Sequence, residues 1–305
     1  MASRSVTATA PGKINVWMRV GPLHEDGYHD VATIYQAVSL LEEITATEAD
    51  DLSVTFSGPI DTSGIALGES NLVIRAARAV AAAAGITAGA ALHVVKNVPV
   101  AGGMGGGSAD AAATLVAVDA LWETNLGAKV LHELAAELGA DVPFALHGGT
   151  AIGLGRGDVL SPVLATGHFE WVLVTSDQGL STPEVYTQLD RHRAEHSIEI
   201  ETVAVDPTVE PELLHALRSG DSIALAEYVR NDLQAAALQL MPALGDVLEF
   251  GETNGALAGL VSGSGPTVAF LAEDDTAALA LIDAFSAQRQ TAMRVISPVH
   301  GARVH

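Results

Sequence analysis

The chain has no cysteine, which excludes a disulfide framework, a thiolate nucleophile and any metal held by sulfur. Basic residues are scarce: 15 Lys plus Arg stand against 37 Asp plus Glu, a formal charge of −22 at pH 7. The acidity runs through both halves without forming a detachable tail, and it argues against nucleic acid and anionic membrane surfaces as partners. Only Lys13, Lys96 and Lys129 are lysines, and aromatic residues make up just 4%. No apolar core of signal-peptide type follows Met1, so the expected location is cytoplasmic. The uncharged stretch from Thr253 to Leu271 is long enough to span a bilayer, but Gly255, Gly259, Gly263, Gly265 and Pro266 break it. It reads as strand, turn, strand within a soluble core.

With 49% hydrophobic and 17% charged residues in 305 positions, the chain is folded and long enough for two domains. Runs rich in β-branched residues predict strands at Val6–Thr9, Ile14–Val20, Thr33–Leu40, Ser53–Phe56 and Leu92–Val95. Helices are expected over Leu72–Ala84, between Asn71 and Gly85, from Ser108 through Trp122, and over Val130–Leu138. Thr150–Leu154 and Val159–Val163 form a hairpin pattern, and Phe169–Thr175 opens a second series of elements. That series comprises a helix from Pro183, a polar stretch from His192 to Pro211 and helices over Glu212–Arg218, Asp221–Leu240 and Ala243–Thr253. Strands at Ala256–Val261 and Thr267–Leu271, a helix at Thr276–Ala287 and a strand at Met293–Ile296 complete it. The grouping is α+β, with a boundary near residue 163 dividing domains 1–163 and 164–305.

The most informative block runs from Val98 through Pro99 and Ala101 to Asp110. Gly102, Gly103, Gly105, Gly106 and Gly107 fill five of six positions ahead of Ser108. Missing side chains let a ligand approach the backbone, and a helix start supplies unpaired N–H groups and a positive dipole end, a combination that suits phosphate. It is neither a Walker loop nor a dinucleotide fingerprint; as an isolated signal it also fits a flexible turn. Lys13, in Ala10-Pro-Gly-Lys13-Ile-Asn15, and Lys96, at the end of the strand feeding the loop, are ammonium groups of the kind that suit phosphoryl oxygens, although lysines are usually solvated at surfaces. Asp141, in Leu138-Gly-Ala-Asp141-Val-Pro143, sits among apolar residues; read locally, a helix N-cap explains it better than chemistry. Gly27-Tyr28-His29 reads locally as a turn, and also as a pair able to stack on and hydrogen-bond a base.

Taken together, Ala10–Asn15, the Gly102–Ser108 loop and Val261-Ser-Gly263-Ser264-Gly265-Pro266-Thr-Val268 resemble, in order and spacing, the three motifs of the galactokinase, homoserine kinase, mevalonate kinase and phosphomevalonate kinase superfamily. Asp26–His29, Leu138–Pro143 and Thr182-Pro-Glu-Val-Tyr186 are similar to its branch that phosphorylates a cytidine diphosphate sugar alcohol on the non-mevalonate route to isoprenoid precursors. The resemblance spans essentially the whole chain. It implies an N-terminal domain of the ribosomal protein S5 domain 2 type, a ferredoxin-like C-terminal domain and a site in the cleft between them.

By the same resemblance, Lys13 and Asp141 match the catalytic pair, and Asn71, Lys96, Pro99 and the glycine loop through Ser108 match the ATP site. Asn15, Tyr28, His29, Asp141, Thr182, Tyr186, Gly263 and Ser264 match the acceptor site, with Tyr28 and Tyr186 sandwiching cytosine. ATP is the cosubstrate, and Mg²⁺ arrives with it, with Ser108 as a ligand. Two positions depart from the pattern. Ala101 replaces a frequent glycine, at little cost if its φ is negative. Asp110 replaces a common asparagine, an expected repulsion beside phosphate unless it faces away or helps hold the metal. Another kinase of the superfamily, or a module that binds nucleotide without turnover, are the alternatives; two tyrosines flanking a base argue against the first, and the pairing of Lys13 with Asp141 against the second.

Overall fold

The computed structural model describes residues 3–196 and 208–305; of the polar stretch expected between His192 and Pro211, residues 197–207 lie outside them. In chain order the elements are β1 (Ser5–Leu23), β2 (His29–Ala49), β3 (Leu52–Ser57), α1 (Leu72–Ala84), β4 (Gly89–Val95), α2 (Gly106–Leu121), α3 (Gly127–Leu138), α4 (Val142–His147), β5 (Thr150–Leu154) and β6 (Val159–Val163). They continue as β7 (Phe169–Val174), α5 (Thr182–Glu195), α6 (Pro211–Ser219), α7 (Ser222–Ala226), β8 (Arg230–Asn231), α8 (Gln234–Leu240), α9 (Ala243–Thr253), β9 (Ala258–Val261), β10 (Val268–Ala272), α10 (Asp275–Ala287), β11 (Ala292–Ser297) and β12 (Arg303–Val304).

Pro11 and Gly12 make the first extended segment read as two strands, yet β1 runs through both. The backbone absorbs the interruption as a register shift against β2 between Pro11 and Lys13, with a second between Asn15 and Trp17. Such irregularities re-aim the side chains beside them. Here they bracket Lys13 and Asn15, which share one face of the strand by its two-residue period. The first sheet has the order β12-β1-β2-β4-β3, with β5 on the other half of β2, β6 on β5, and β8 parallel to β1. This sheet therefore draws strands from both ends of the chain.

Helix α1 is framed as its sequence predicts: the Asn71 side chain accepts from Val73 N–H, and Gly85 ends the helix at φ 67°. Its apolar stripe, Val73, Ile74, Ala76, Ala77 and Val80, is buried against α2, α3 and the β3 edge of the first sheet. Helix α2 is buried on nearly every side, and its run of alanines lets it lie close to β1 and β2. It starts at Gly106, two residues before the expected Ser108, because Gly105 in the left-handed region (φ 68°) takes the cap position.

The second sheet has the order β11-β7-β10-β9, antiparallel throughout. With α5 after its first strand and α10 after its third, it is the ferredoxin-like βαββαβ arrangement, carrying additional helices between α5 and β9. One face packs on α8, α9 and α10, and the other meets the first sheet through Ile14, Trp17 and Ile34 against Phe169, Trp171 and Leu271. A buried polar chain crosses that core: Trp171 Nε1 donates to Ser297 Oγ (3.0 Å), which donates to Gln36 Oε1 (2.7 Å).

The single helix expected over Asp221–Leu240 is instead α7, the short strand β8 and α8. Asn231 explains the break. Its Nδ2 donates to the carbonyls of Val261 (2.7 Å) and Gly263 (2.6 Å), and its Oδ1 accepts from Leu233 N–H. Asp232 meanwhile accepts from Val20 N–H. Buried bonds of this kind outweigh helix propensity, which amounts to tenths of a kcal/mol per residue. They also tie the β9–β10 turn to β1.

Candidate active site

The two sheets and the start of α2 enclose a cleft of about 650 Å³. Sixteen of the sequence-expected residues line it: Lys13, Asn15, Asn71, Lys96, Pro99, Gly102, Gly103, Gly105, Gly106, Gly107, Ser108, Asp141, Thr182, Tyr186, Gly263 and Ser264. Tyr28 and His29 are not among its lining residues.

Lys13 points into the cleft from β1, almost fully buried. Its Nζ donates to Asn15 Oδ1 (2.7 Å) and lies 3.7 Å from Asp141 Oδ2. Asn15 in turn donates to Thr33 Oγ1 (2.8 Å), whose hydroxyl donates to the Trp17 carbonyl. The amide orientation is thereby fixed, with its oxygen on the ammonium. Asp141 occupies the residue before α4, as a cap would, yet its side chain makes no capping bond. The cap reading is corrected: the carboxylate turns to Lys13 and accepts from the Tyr35 hydroxyl at 3.2 Å. Tyr35 is a site residue that sequence reasoning missed. Burial and the charge of Asp141 raise its pKa well above the usual phenol range, so it remains a donor. The signal available was its place on β2, opposite Asn15 in the β1–β2 register.

The glycine loop reaches the same point from above. Met104 C=O accepts from Lys13 N–H (2.9 Å), which fixes the loop to β1. Gly103, at φ 74°, lies so close to Ser262 that a Cβ would collide with its carbonyl oxygen; a side chain is excluded where the glycine loop and the third motif touch. The N–H groups of the first turn of α2 have no intrahelical acceptor, and Gly105 supplies no side-chain cap. This leaves the positive end of a 16-residue helix facing the Lys13–Asp141 pair.

Asp110 does face away from the loop. Its Oδ2 takes Lys96 Nζ at 2.7 Å, and the same ammonium bonds Glu42 Oε1 at 2.5 Å, all three residues being buried. Lys96 touches the cleft but is already committed to two carboxylates. Two acids sharing one cation in low dielectric favour their protonated forms. Burial, then the charge of Asp110, raises Glu42 to about 7 against the pull of Lys96, and burial likewise raises Asp110. The expectation for Ala101 is corrected: its φ is +54°, a left-handed conformation that costs an alanine about 1–2 kcal/mol.

At the far end, Tyr186 of α5 lies 5.2 Å, centroid to centroid, from the His29 ring. Burial and Asp141 push its hydroxyl up to about 12. His29 Nε2 is bonded to Asp190 Oδ1 (2.9 Å), and the ring is buried. Tyr28 is exposed, its N–H bonded to Asp26 Oδ1. Thr182 Oγ1 and Ser264 Oγ pair at 2.8 Å, joining α5 to the third motif.

The family model described as GHMP kinases N terminal domain matches residues 71–149, and the GHMP kinases C terminal model matches residues 213–290. The chain is 60% identical over 301 residues to a 4-diphosphocytidyl-2-C-methyl-D-erythritol kinase from Leifsonia xyli subsp. xyli, covering 98% of each chain. It is also 60% identical over 299 residues to the enzyme of that name from Clavibacter michiganensis subsp. michiganensis, covering 98% of this chain and 96% of the other. A crystal structure of 4-(cytidine 5'-diphospho)-2C-methyl-D-erythritol kinase superposes with a TM-score of 0.77 at 29% identity, over 96% of this chain and 99% of that one. With identity that high over the full length, and with both domain models matched, the chain belongs to the 4-diphosphocytidyl-2-C-methyl-D-erythritol kinase family of the GHMP kinases.

Proposed function

We propose that the protein transfers the γ-phosphoryl group of ATP to the 2-hydroxyl of 4-diphosphocytidyl-2-C-methyl-D-erythritol, a step toward isoprenoid precursors, using Lys13 and Asp141 as its catalytic pair. The observation that carries the reading is the convergence of Lys13, Asn15 and Asp141 on the open first turn of α2 within one cleft. The N–H groups of Gly105 to Ser108 hold the nucleotide phosphates, and Asn71 and Pro99 border the nucleoside. Asp141 takes the acceptor proton as the new O–P bond forms and the bond from Pγ to the β,γ-bridging oxygen breaks, releasing ADP. Lys13 stabilises charge on the oxygens around the transferring phosphorus, and Asn15 keeps that ammonium in place.

Among the described residues no group of three or more His, Cys, Asp or Glu is placed to hold a metal ion. Ser108, in the first turn of α2 at the edge of the cleft, would hold Mg²⁺ carried by the triphosphate through its hydroxyl. When bound, it neutralises charge on the phosphates. Thr182, Tyr186, Gly263 and Ser264 border the acceptor, and Tyr28, Tyr186 and His29 receive its cytosine.

Coupled ADP release with the purified acceptor tests the reading: turnover is expected with this substrate and not with homoserine or mevalonate. Asp141→Asn should lower kcat by about 10² or more while ATP still binds. Near-normal turnover by a folded Asp141→Asn protein removes Asp141 from the chemistry.

A further inference from the structure

Among the described residues, Asn15 takes the only hydrogen bond of the Lys13 ammonium. Nζ donates to Asn15 Oδ1 at 2.7 Å, while Asp141 Oδ2, at 3.7 Å, lies outside hydrogen-bond reach. Opposite charge draws the ammonium toward that carboxylate, and a closed pair would spend both groups on each other. The bond to Asn15 keeps them apart, so the placement of the pair depends on what holds the Asn15 amide.

Thr33, on β2, holds it, and both residues are buried. The Thr33 hydroxyl has one proton, and the Trp17 carbonyl, which can only accept, takes it at 2.9 Å. Lone pairs are all that remain to face Asn15, so they bind its amino end, Nδ2, at 2.8 Å. The amide oxygen is thereby turned to Lys13 and tied to the backbone of β1 by a bond that does not involve Lys13. Without that anchor the amide is held only by the ammonium it positions, and it follows the ammonium wherever Asp141 or a phosphoryl oxygen draws it. Backbone closes the other side: a Cβ on Gly263 would stand 3.3 Å from both Asn15 Oδ1 and Lys13 Nζ, and Asn231 holds the Gly263 carbonyl at 2.6 Å.

We propose that Thr33 is a positioning residue of the phosphoryl transfer: through Asn15 it holds the Lys13 ammonium off Asp141 and toward the transferring group. The proposal rests on the reading that Lys13 and Asp141 are the catalytic pair. The test is steady-state kinetics of Thr33→Val, which keeps the branched shape and removes the hydroxyl, of Thr33→Ser, which keeps the hydroxyl, and of Thr33→Val combined with Asn15→Ala. Loss of one hydrogen-bonded anchor predicts that Thr33→Val lowers kcat by about tenfold while the KM for ATP stays within about twofold of the parent's. Thr33→Ser should recover most of that loss. In the Asn15→Ala background Thr33→Val should cost nothing further, because no amide is left to hold. The valine protein should also melt lower, since the Trp17 carbonyl loses its donor, but a purely structural loss produces neither the serine rescue nor the missing effect in Asn15→Ala. If Thr33→Val does not fold, Thr33→Ala takes its place in the same comparisons. Parent kcat in the folded valine protein, a Thr33→Ser protein as impaired as Thr33→Val, or an undiminished Thr33→Val effect in the Asn15→Ala background each overturns the proposal and leaves the catalytic pair intact. If Lys13→Met turns over at the parent rate, the reading of the pair itself fails and the proposal falls with it.

Discussion

Gly107→Ala separates phosphate binding from folding more cleanly than any other change in the loop. Gly107 is exposed in the first turn of α2 at ordinary helical φ, and a Cβ there would meet only Leu72 Cδ1 at 3.6 Å, an ordinary contact. Because the native backbone suits alanine, the substitution should stabilise the fold by about 0.4–1 kcal/mol through the unfolded chain, a rise in Tm of roughly 1–3 °C for a chain of this size. The added methyl projects at the helix start, where the proposed function puts the triphosphate on the N–H groups. Losing one charge-assisted bond of about 1.5–3 kcal/mol weakens ATP by roughly 10- to 100-fold. The neighbouring glycines cannot make this distinction. Gly103 and Gly105 have φ of +74° and +68°, and a Cβ on Gly106 would stand 3.0 Å from Lys96 Nζ and 3.1 Å from Val98 Cγ1. Substitution at any of the three disturbs the protein before ATP arrives. Thermal unfolding paired with calorimetric titration of ATP reads both effects. Unaltered ATP affinity in a Gly107→Ala protein with an equal or higher Tm would refute the placement of the phosphates on α2.

Tyr28→Ala and Tyr186→Ala should each raise the acceptor KM by about 5- to 100-fold, the worth of a base stacked on an aromatic face, with the KM for ATP little changed; wild-type KM in both variants sinks the cytosine platform. Lys13→Met should lower kcat by about 10² or more while ATP still binds, and substantial turnover would take the ammonium away from the reacting oxygens. The Glu42–Lys96–Asp110 cluster predicts a pH dependence of stability. Glu42 is raised from 4.5 to about 7 and Asp110 is raised as well, so the folded state holds more protons than the unfolded chain between about pH 4.5 and 7. Stability from Glu42, up to about 3 kcal/mol, is present below that window and lost as pH rises through it. Asp110→Asn removes the second charge, so its unfolding curve should be flatter over this range and its stability at pH 8 higher than the parent's; an unchanged slope contradicts the shared-charge account.

The sequence could be read wherever the deciding chemistry is local. Asn71 and Gly85 bound α1 because a cap bond spans two residues and a left-handed terminus needs one glycine. The three motifs were legible for the same reason, each being a short stretch, an irregular strand in the first and a turn in the other two, whose backbone requires its own residues. Asp141 and Asp110 were not, because a carboxylate's role depends on which cation reaches it. Before α4, Asp141 has the sequence context of a cap; only the register shift in β1, far away in the chain, brings Lys13 within reach and takes the carboxylate for the cleft. Asp110 looked repulsive beside phosphate, yet Lys96 lies beneath the loop to receive it, with Glu42 completing the pair. Asn231 broke an expected helix by bonding to backbone 30 and 32 residues away. Ala101 differs in kind: it holds a positive φ with no glycine to ease it, and loop strain of that sort persists where surrounding contacts over-determine the backbone. Those contacts are present in the loop next to it, where Met104 is bonded to Lys13 and Gly103 is pressed against Ser262. The loop is thus held at its far side by the first and third motifs, so its geometry follows from the assembled cleft rather than from its own sequence.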